Sequence, residues 1–153
     1  MTNEHRAPWD YVYAKETDSV CRPGTKPASD REYFEILCLR LLQAGLNWNS
    51  IRRHWAKYKS GFEDFDIERL AQTQAANVPE NPNALKNRRK IEAVIHNANE
   101  FRGIAGAFGS FGAYLETLKN QPENEQLRAF AKRFKQVAPE TADYFLHAVG
   151  FWS

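Results

Sequence analysis

The stretch SDREYFEILCLRLLQAGLNW, residues 29–48, decides the fold. Ser29 and Glu32 stand three residues apart, as in a capping box, in which the hydroxyl and the carboxylate satisfy free amides at a helix start. The apolar residues that follow surround the helix axis almost completely, which is typical of a helix covered by other helices. Gly45 supplies the residue type that commonly ends a helix in the left-handed conformation. The stretch therefore predicts a helix buried within a helical protein.

Arg40 is the exception on this helix. At helical spacing it shares a face with four mainly apolar residues: Tyr33, Ile36, Leu37 and Ala44. A guanidinium in that position is a paired core charge, an edge residue whose stem is buried while its head reaches water, or part of a site. The sequence alone leaves these three interpretations open.

The composition is typical of a soluble globular protein. The length of 153 residues fits one domain with a sizeable core. Hydrophobic residues make up 42% and charged residues 26%. The net charge of +2 excludes a polycationic nucleic-acid coat but leaves room for local basic clusters. The two cysteines, Cys21 and Cys38, predict reduced thiols, because Cys38 stands in an apolar helix.

The first 28 residues are predicted to form an irregular arm, followed by a helical domain over residues 29–153. The N-terminus is charged and lacks an apolar core, and no apolar run reaches membrane-spanning length. We therefore expect a cytoplasmic protein with no signal peptide and no membrane partner. The arm carries an aromatic cluster of Trp9, Tyr11 and Tyr13, which either packs the arm onto the helical body or stacks on a ligand base.

Helical periodicity continues through the rest of the chain, and no segment alternates with period two. Asp66 is predicted to cap a short helix, and Pro139 to begin the last helix, which Gly150 ends. The glycine-spaced segment at residues 103–112 is predicted to connect two helices. The fold class is therefore all-α, a compact single-domain helical bundle.

A metal site is not expected from the residues. His96 is a lone histidine in a helical stretch, with no second ligand at metal spacing. We predict no metal and no cofactor.

Three segments together resemble a known enzyme family: FEILCLRLLQAGLNW, then FEDFD, then NRRKIEAVIHNANEF. They are similar to the 3-methyladenine DNA glycosylase I family of the helix-hairpin-helix glycosylase superfamily. The resemblance covers residues 29–102 well and resumes more weakly over RFKQVAPETADYFLHAVG, residues 133–150. It implies the helix-hairpin-helix type of helical bundle.

The resemblance implies an enzyme that extrudes a damaged base from duplex DNA and hydrolyses its N-glycosidic bond. The matching pocket aromatic is Trp48, and we assign Tyr13, Arg40 and Trp48 to the predicted substrate pocket. The matching hairpin, whose amides would touch the DNA backbone, contains Gln136, Val137 and Ala138. Ala138 and Pro139 stand where the family has a small glycine, so we expect DNA binding by this hairpin to be weakened or lost. The expected DNA-binding side chains are those of Lys132, Arg133, Lys135 and Gln136.

The chain departs from the family in its pocket and metal residues. Arg40 stands where the family has a pocket glutamate, and Cys21 lacks the histidines of the family's zinc site, so we expect no zinc. A cation about 4 Å from a cationic 3-methyladenine would repel it by roughly 4 kcal/mol at an effective dielectric constant near 20. The expected activity on 3-methyladenine is therefore poor, and the catalytic residue is unknown.

Two functions are compatible with the resemblance. The first is a divergent DNA-3-methyladenine glycosylase I-like hydrolase, a monomer that excises an alkylated or damaged base during DNA repair. The alternative is a catalytically inactive protein that keeps the glycosylase fold to hold DNA, a nucleobase or a protein partner. A further possibility is that Arg40 pairs with Glu35 or Glu16 and that the pocket is closed.

Overall fold

The computed structural model describes Pro27 and residues 29–43, 55–74 and 88–151. These residues form seven α-helices and no β-strand, so the all-α prediction is confirmed. The helices are α1 (Asp30–Gln43), α2 (Trp55–Gly61), α3 (Ile67–Gln72), α4 (Arg88–Phe108), α5 (Phe111–Leu118), α6 (Glu123–Arg133) and α7 (Pro139–Ala148). Residues 1–26, which make up most of the predicted arm, lie outside the described residues.

Helix α1 begins as its sequence predicts. The Glu32 amide donates to the Ser29 hydroxyl at 3.3 Å, and the Tyr33 amide donates to the Ser29 carbonyl at 3.2 Å. The helix then buries a nearly continuous apolar surface, including Phe34, Leu37 and Leu42 with no exposed area. It packs against α4, α5 and α7, which explains why its apolar residues surround the helix axis.

Helix α4 is the longest, with 21 residues, and packs against α1, α3 and α5. Its N-terminus is tied to the end of α1, where the Lys90 ammonium donates to the Leu42 carbonyl at 3.0 Å. Burial of that ammonium lowers the pKa of Lys90. On its inner face Phe101 stacks on Phe111 with ring centres 4.1 Å apart. This stack joins α4 to α5 at the centre of the aromatic core.

The expected connector over residues 103–112 is wrong in its extent. Helix α4 continues through Gly103 and Gly106, both exposed, while Ile104 on the opposite side is completely buried. Each glycine costs a helix about 1 kcal/mol relative to alanine, but burial of one isoleucine side chain returns about 1.5–3 kcal/mol. The break falls at Gly109, whose φ of +92° favours glycine.

A tight turn at Glu63–Phe65 connects α2 to α3, and all three of its residues have positive φ. Arg31 of α1 holds this turn, because its Nε donates to the Asp64 carbonyl at 3.1 Å and its guanidinium pairs with the Asp64 carboxylate. Asp66 then caps α3 by accepting from the Arg69 amide at 3.0 Å, as predicted. None of the described helices is both long and apolar enough to cross a bilayer.

Candidate functional site

A short hairpin, residues 134–138, joins α6 to α7. Phe134 ends α6, and its amide donates to the Ala131 carbonyl at 3.3 Å. Val137 is buried within the hairpin and anchors it to the core. Pro139 is the first residue of α7, as predicted, because its fixed φ suits a helix start. The hairpin therefore presents a short surface segment between two core-anchored residues.

Gln136 is an exposed residue of the hairpin and has a φ of +60°. A residue with a Cβ pays about 1 kcal/mol to adopt this left-handed conformation, which glycine adopts without that cost. Ala138, in contrast, is extended, with φ −85° and ψ 167°. The turn of the hairpin is thus made at Gln136, and the alanine next to Pro139 does not need the freedom of glycine.

The start of α7 is open to an anion within the described part of the chain. The Ala138 carbonyl accepts from the Ala142 amide at 3.0 Å, but no side chain caps the first turn. The amides of Glu140 and Thr141 are therefore not satisfied by a cap, and the helix dipole places partial positive charge beside them. Such a terminus binds phosphate readily, although the exposed Glu140 carboxylate acts in the opposite direction.

The predicted DNA-binding side chains differ in their surroundings. Lys132, Lys135 and Gln136 are exposed around the hairpin. Arg133 has internal partners: its Nε lies 3.4 Å from Glu100 Oε1, and its guanidinium carbon lies 5.1 Å from the Tyr114 ring centre. The structure thus places three of the four at the surface and draws the fourth toward α4 and α5.

Arg40 projects from α1 onto α7. Its guanidinium carbon lies 4.8 Å from the ring centre of Tyr144, and its residue is half-buried. Burial lowers the pKa of the Arg40 guanidinium, while the nearby Tyr144 and Glu140 act to raise that pKa. Because an arginine stays protonated in proteins, the group is a fixed cation beside the helix that begins at the hairpin.

Glu35, one of the two residues suggested as a partner of Arg40, contacts α2. Its Oε2 accepts from Trp55 Nε1 at 3.1 Å and lies 3.4 Å from Lys59 Nζ. Burial, and next the Glu35 charge, raise the pKa of the Cys38 thiol well above its ordinary value. Glu35 therefore joins α1 to α2, and the other proposed partner, Glu16, lies outside the described residues.

The remaining pocket predictions fall outside the described residues, since Tyr13 and Trp48 both belong to segments that are not described. Arg40 is thus the predicted pocket residue whose surroundings can be given. Within residues 27–151, as far as they are described, no three His, Cys, Asp or Glu side chains converge to hold a metal ion.

Two residues of this region were missed in the sequence. Tyr144 carries no sequence signal, because a tyrosine on an amphipathic helix is commonplace. Asn97 does carry a sequence signal, because it stands three residues after Val94 and four before Phe101, on the apolar face of α4. An amide at such a position must find partners in the core. Its partners prove to be in the hairpin.

Comparison with known proteins identifies a family. Residues 22–151 match the family model described as methyladenine glycosylase. The chain is 26% identical over 119 residues to a DNA-3-methyladenine glycosylase of Haemophilus influenzae, covering 75% of this chain and 64% of the relative. It is 30% identical over 81 residues to DNA-3-methyladenine glycosylase 1 of Escherichia coli, covering 51% of this chain and 43% of the relative. The chain thus matches less than two thirds of the length of each relative.

The fold is shared with a solved structure from the same family. A glutamate-to-glutamine variant of 3-methyladenine DNA glycosylase I from Staphylococcus aureus superposes with a TM-score of 0.73 at 25% identity. The superposition covers 85% of this chain and 82% of that one.

Proposed function

Because this chain belongs to the methyladenine glycosylase family, we propose that it is a DNA N-glycosylase that excises an alkylated or otherwise damaged base. We also propose that it acts as a monomer in the cytoplasm. The observation that carries the DNA-binding part of this proposal is the hairpin, and the enzymatic part is supported by the family. The hairpin sets an uncapped helix start beside Lys132, Lys135 and Gln136, all of which are exposed.

This arrangement is suited to the backbone of a duplex rather than to its bases. Amides at a helix start and nearby lysines favour phosphate oxygens, which every sequence offers. Contacts of this kind fix the register of a protein on DNA without reading sequence. An enzyme that inspects bases for damage needs this kind of binding, because the damage can occur in any sequence.

The proposed reaction is hydrolysis. Water attacks C1′ of the deoxyribose, the bond from C1′ to the base nitrogen breaks, and the base leaves with the bonding electrons. The proton of the attacking water is lost to solvent. A base made cationic by alkylation leaves as a neutral molecule, so positioning and desolvation supply part of the rate without a strong general acid. A neutral purine must instead take up a proton at a ring nitrogen as the bond breaks, and that proton comes from solvent or from a general acid.

The positive charge of Arg40 supports a substrate preference that differs from the family's preference for cationic bases. A fixed cation facing the base pocket would repel a 3-methylated adenine, whereas its planar guanidinium suits the acceptor atoms of a neutral purine. We therefore propose that the preferred base is a neutral damaged purine. Arg40 also favours a second candidate, a protein that binds damaged DNA without hydrolysis, because it removes an anion from the expected pocket.

Release of free base from alkylated or oxidised duplex DNA separates the two candidates. The enzyme is expected to release a base, and Trp48→Ala is expected to lower that release at least tenfold by removing the stacking surface. Phe108→Ala, which removes an exposed aromatic of α4, is the matched control and should leave release unchanged. Tight DNA binding with no base release from any damaged duplex would favour the binding protein.

A further inference from the structure

Asn97 holds the hairpin from inside the core. Its Oδ1 accepts from the Lys135 amide at 2.9 Å, and its Nδ2 donates to the Lys135 carbonyl at 3.1 Å. One side-chain amide thus pairs with both backbone groups of one residue, as a neighbouring strand would. The side chain of Lys135 remains exposed while its backbone is fixed.

Burial makes this contact hard to replace. Asn97 has no exposed area, and it and Gln126 are the buried polar side chains among the described residues. A buried amide is costly unless it is hydrogen-bonded, and the Lys135 groups would be equally costly if left unpaired. The pairing therefore has one favourable geometry, which fixes the distance from α4 to the backbone at Lys135.

The position of Lys135 determines the path of the chain into α7. The next residue is Gln136, which turns the chain with its φ of +60°, and two residues later Ala138 is the N-cap of α7. The direction of the uncapped amides at the start of α7 thus depends on a backbone that is held a few residues earlier. The pair of Arg133 and Glu100 also links α6 to α4, but both side chains are about one third exposed, so that contact is weak.

We propose that Asn97 is a positioning residue for DNA binding, which sets the hairpin so that its amides and the Lys135 ammonium meet adjacent phosphates. The inference rests on the proposed function of the hairpin. Asn97 itself touches no DNA in the proposed complex and acts through Lys135. Substitution of Asn97 should therefore weaken DNA binding and speed hydrogen exchange in the hairpin. Both effects should be larger than the loss of overall stability alone would cause.

Hydrogen exchange on the whole, unmodified chain gives the first test and needs no DNA. The Lys135 amide lies outside the helices, yet it should exchange slowly, like the amides of α4. Exchange as fast as that of an exposed loop amide would overturn the inference. Because this measurement does not involve DNA, its result is independent of whether the protein is a glycosylase.

Three variants give the second test: Asn97→Ala, Asn97→Leu and the matched control Gln126→Ala. Gln126 is also a buried amide, and its Nε2 donates to the Gln121 carbonyl at 3.0 Å, away from the hairpin. At a temperature where all three are folded, both Asn97 variants should lose about tenfold in affinity for a duplex and show faster exchange at residues 135–138. Gln126→Ala should show neither change.

Equal DNA affinity in the wild type and in both Asn97 variants would overturn the positioning role, as would an equal loss in Gln126→Ala. If neither Asn97 variant folds while Gln126→Ala does, Asn97 serves fold stability and the inference also fails. A wild-type protein that binds no DNA, with a slowly exchanging Lys135 amide, would instead refute the proposed function and leave the anchored hairpin intact.

Discussion

The guanidinium carbon of Arg40 lies 4.8 Å from the ring centre of Tyr144, so a cation of α1 rests on an aromatic residue of α7. The contact connects the helix predicted to carry the base pocket with the helix that starts at the hairpin. An arginine over a ring face gains about 0.5–2 kcal/mol, with the larger values for desolvated pairs. Arg40 is half-buried, so its contact with Tyr144 belongs in the middle of that range.

The first prediction concerns this contact. A double-mutant cycle with Arg40→Met and Tyr144→Leu should give a coupling of about 1 kcal/mol in the free energy of unfolding. Tyr144→Phe keeps the ring and is the control, so its coupling to Arg40→Met should be much smaller. Additive effects of Arg40→Met and Tyr144→Leu, within error, would show that the ring does not hold the guanidinium.

A second prediction concerns alkaline pH. Burial raises the pKa of the Cys38 thiol well above its ordinary value of 9.0, so the thiol ionises in the unfolded chain but not in the folded one. Above pH 9 the folded state binds more protons than the unfolded state, and stability falls as pH rises. The loss from this one group is about 1.4 kcal/mol between pH 8 and pH 10.

The measurement is the free energy of unfolding by urea across that pH range. Cys38→Ala should be less stable at pH 8 and should lose about 1.4 kcal/mol less than the wild type on going to pH 10. The pKa values of Tyr33 and Tyr114 are also raised, chiefly by burial, so these two tyrosines also lower stability above pH 10, and they do so equally in both proteins. If the free energy of unfolding changed with pH in the same way in the wild type and in Cys38→Ala, a neutral buried thiol would be contradicted.

Much of the fold could be predicted because its signals are local. The caps at Ser29 and Asp66, the proline at 139 and the glycine at 150 each act within one helical turn. The glycines at 103 and 106 wrongly predicted a connector where α4 continues. The burial of residues on the inner face of the helix outweighs the low helix propensity of glycine.

The site was less predictable, because its contacts join residues far apart in the chain. The partners of Arg40 and Asn97 lie 104 and 38 positions away, which no periodicity specifies. Of the two, only Arg40 was identified from the sequence as out of place on an apolar face. The sequence could not show that one contacts an aromatic ring and the other a backbone.

A third prediction comes from the left-handed residue of the hairpin. Gln136→Gly should stabilise the protein by about 0.5–1 kcal/mol, because glycine adopts φ +60° without steric cost. Thermal unfolding should shift upward by about 1–4 °C for a chain of this size. The control is Gln121→Gly, an exposed position outside the helices without positive φ, which should destabilise. A lower melting temperature for Gln136→Gly would contradict the left-handed turn.

The fourth prediction concerns the salt dependence of DNA binding. Lys132→Ala and Lys135→Ala should each weaken binding to any duplex sequence and reduce the slope of log affinity against log salt by about 1. Lys119→Ala removes an equal charge at the end of α5, where the ammonium pairs with Glu116 at 3.2 Å. That control should keep the wild-type slope. Identical slopes for all four proteins would remove the hairpin from the interface.

Charge reversal at Arg40 tests the central claim, that a family glycosylase fold here carries a cation suited to a different base. The measurement is kcat/KM for release of 3-methyladenine from methylated duplex DNA by the wild type, by Arg40→Glu and by Arg102→Glu. Arg102 is an exposed arginine of α4, paired with Glu68 at 3.5 Å, and serves as the charge-matched control.

We expect slow release by the wild type and by Arg102→Glu, and release at least about tenfold faster by Arg40→Glu, since about 1.4 kcal/mol of relieved repulsion suffices. Rapid release of 3-methyladenine by the wild type, unchanged or lower in Arg40→Glu, would contradict the claim.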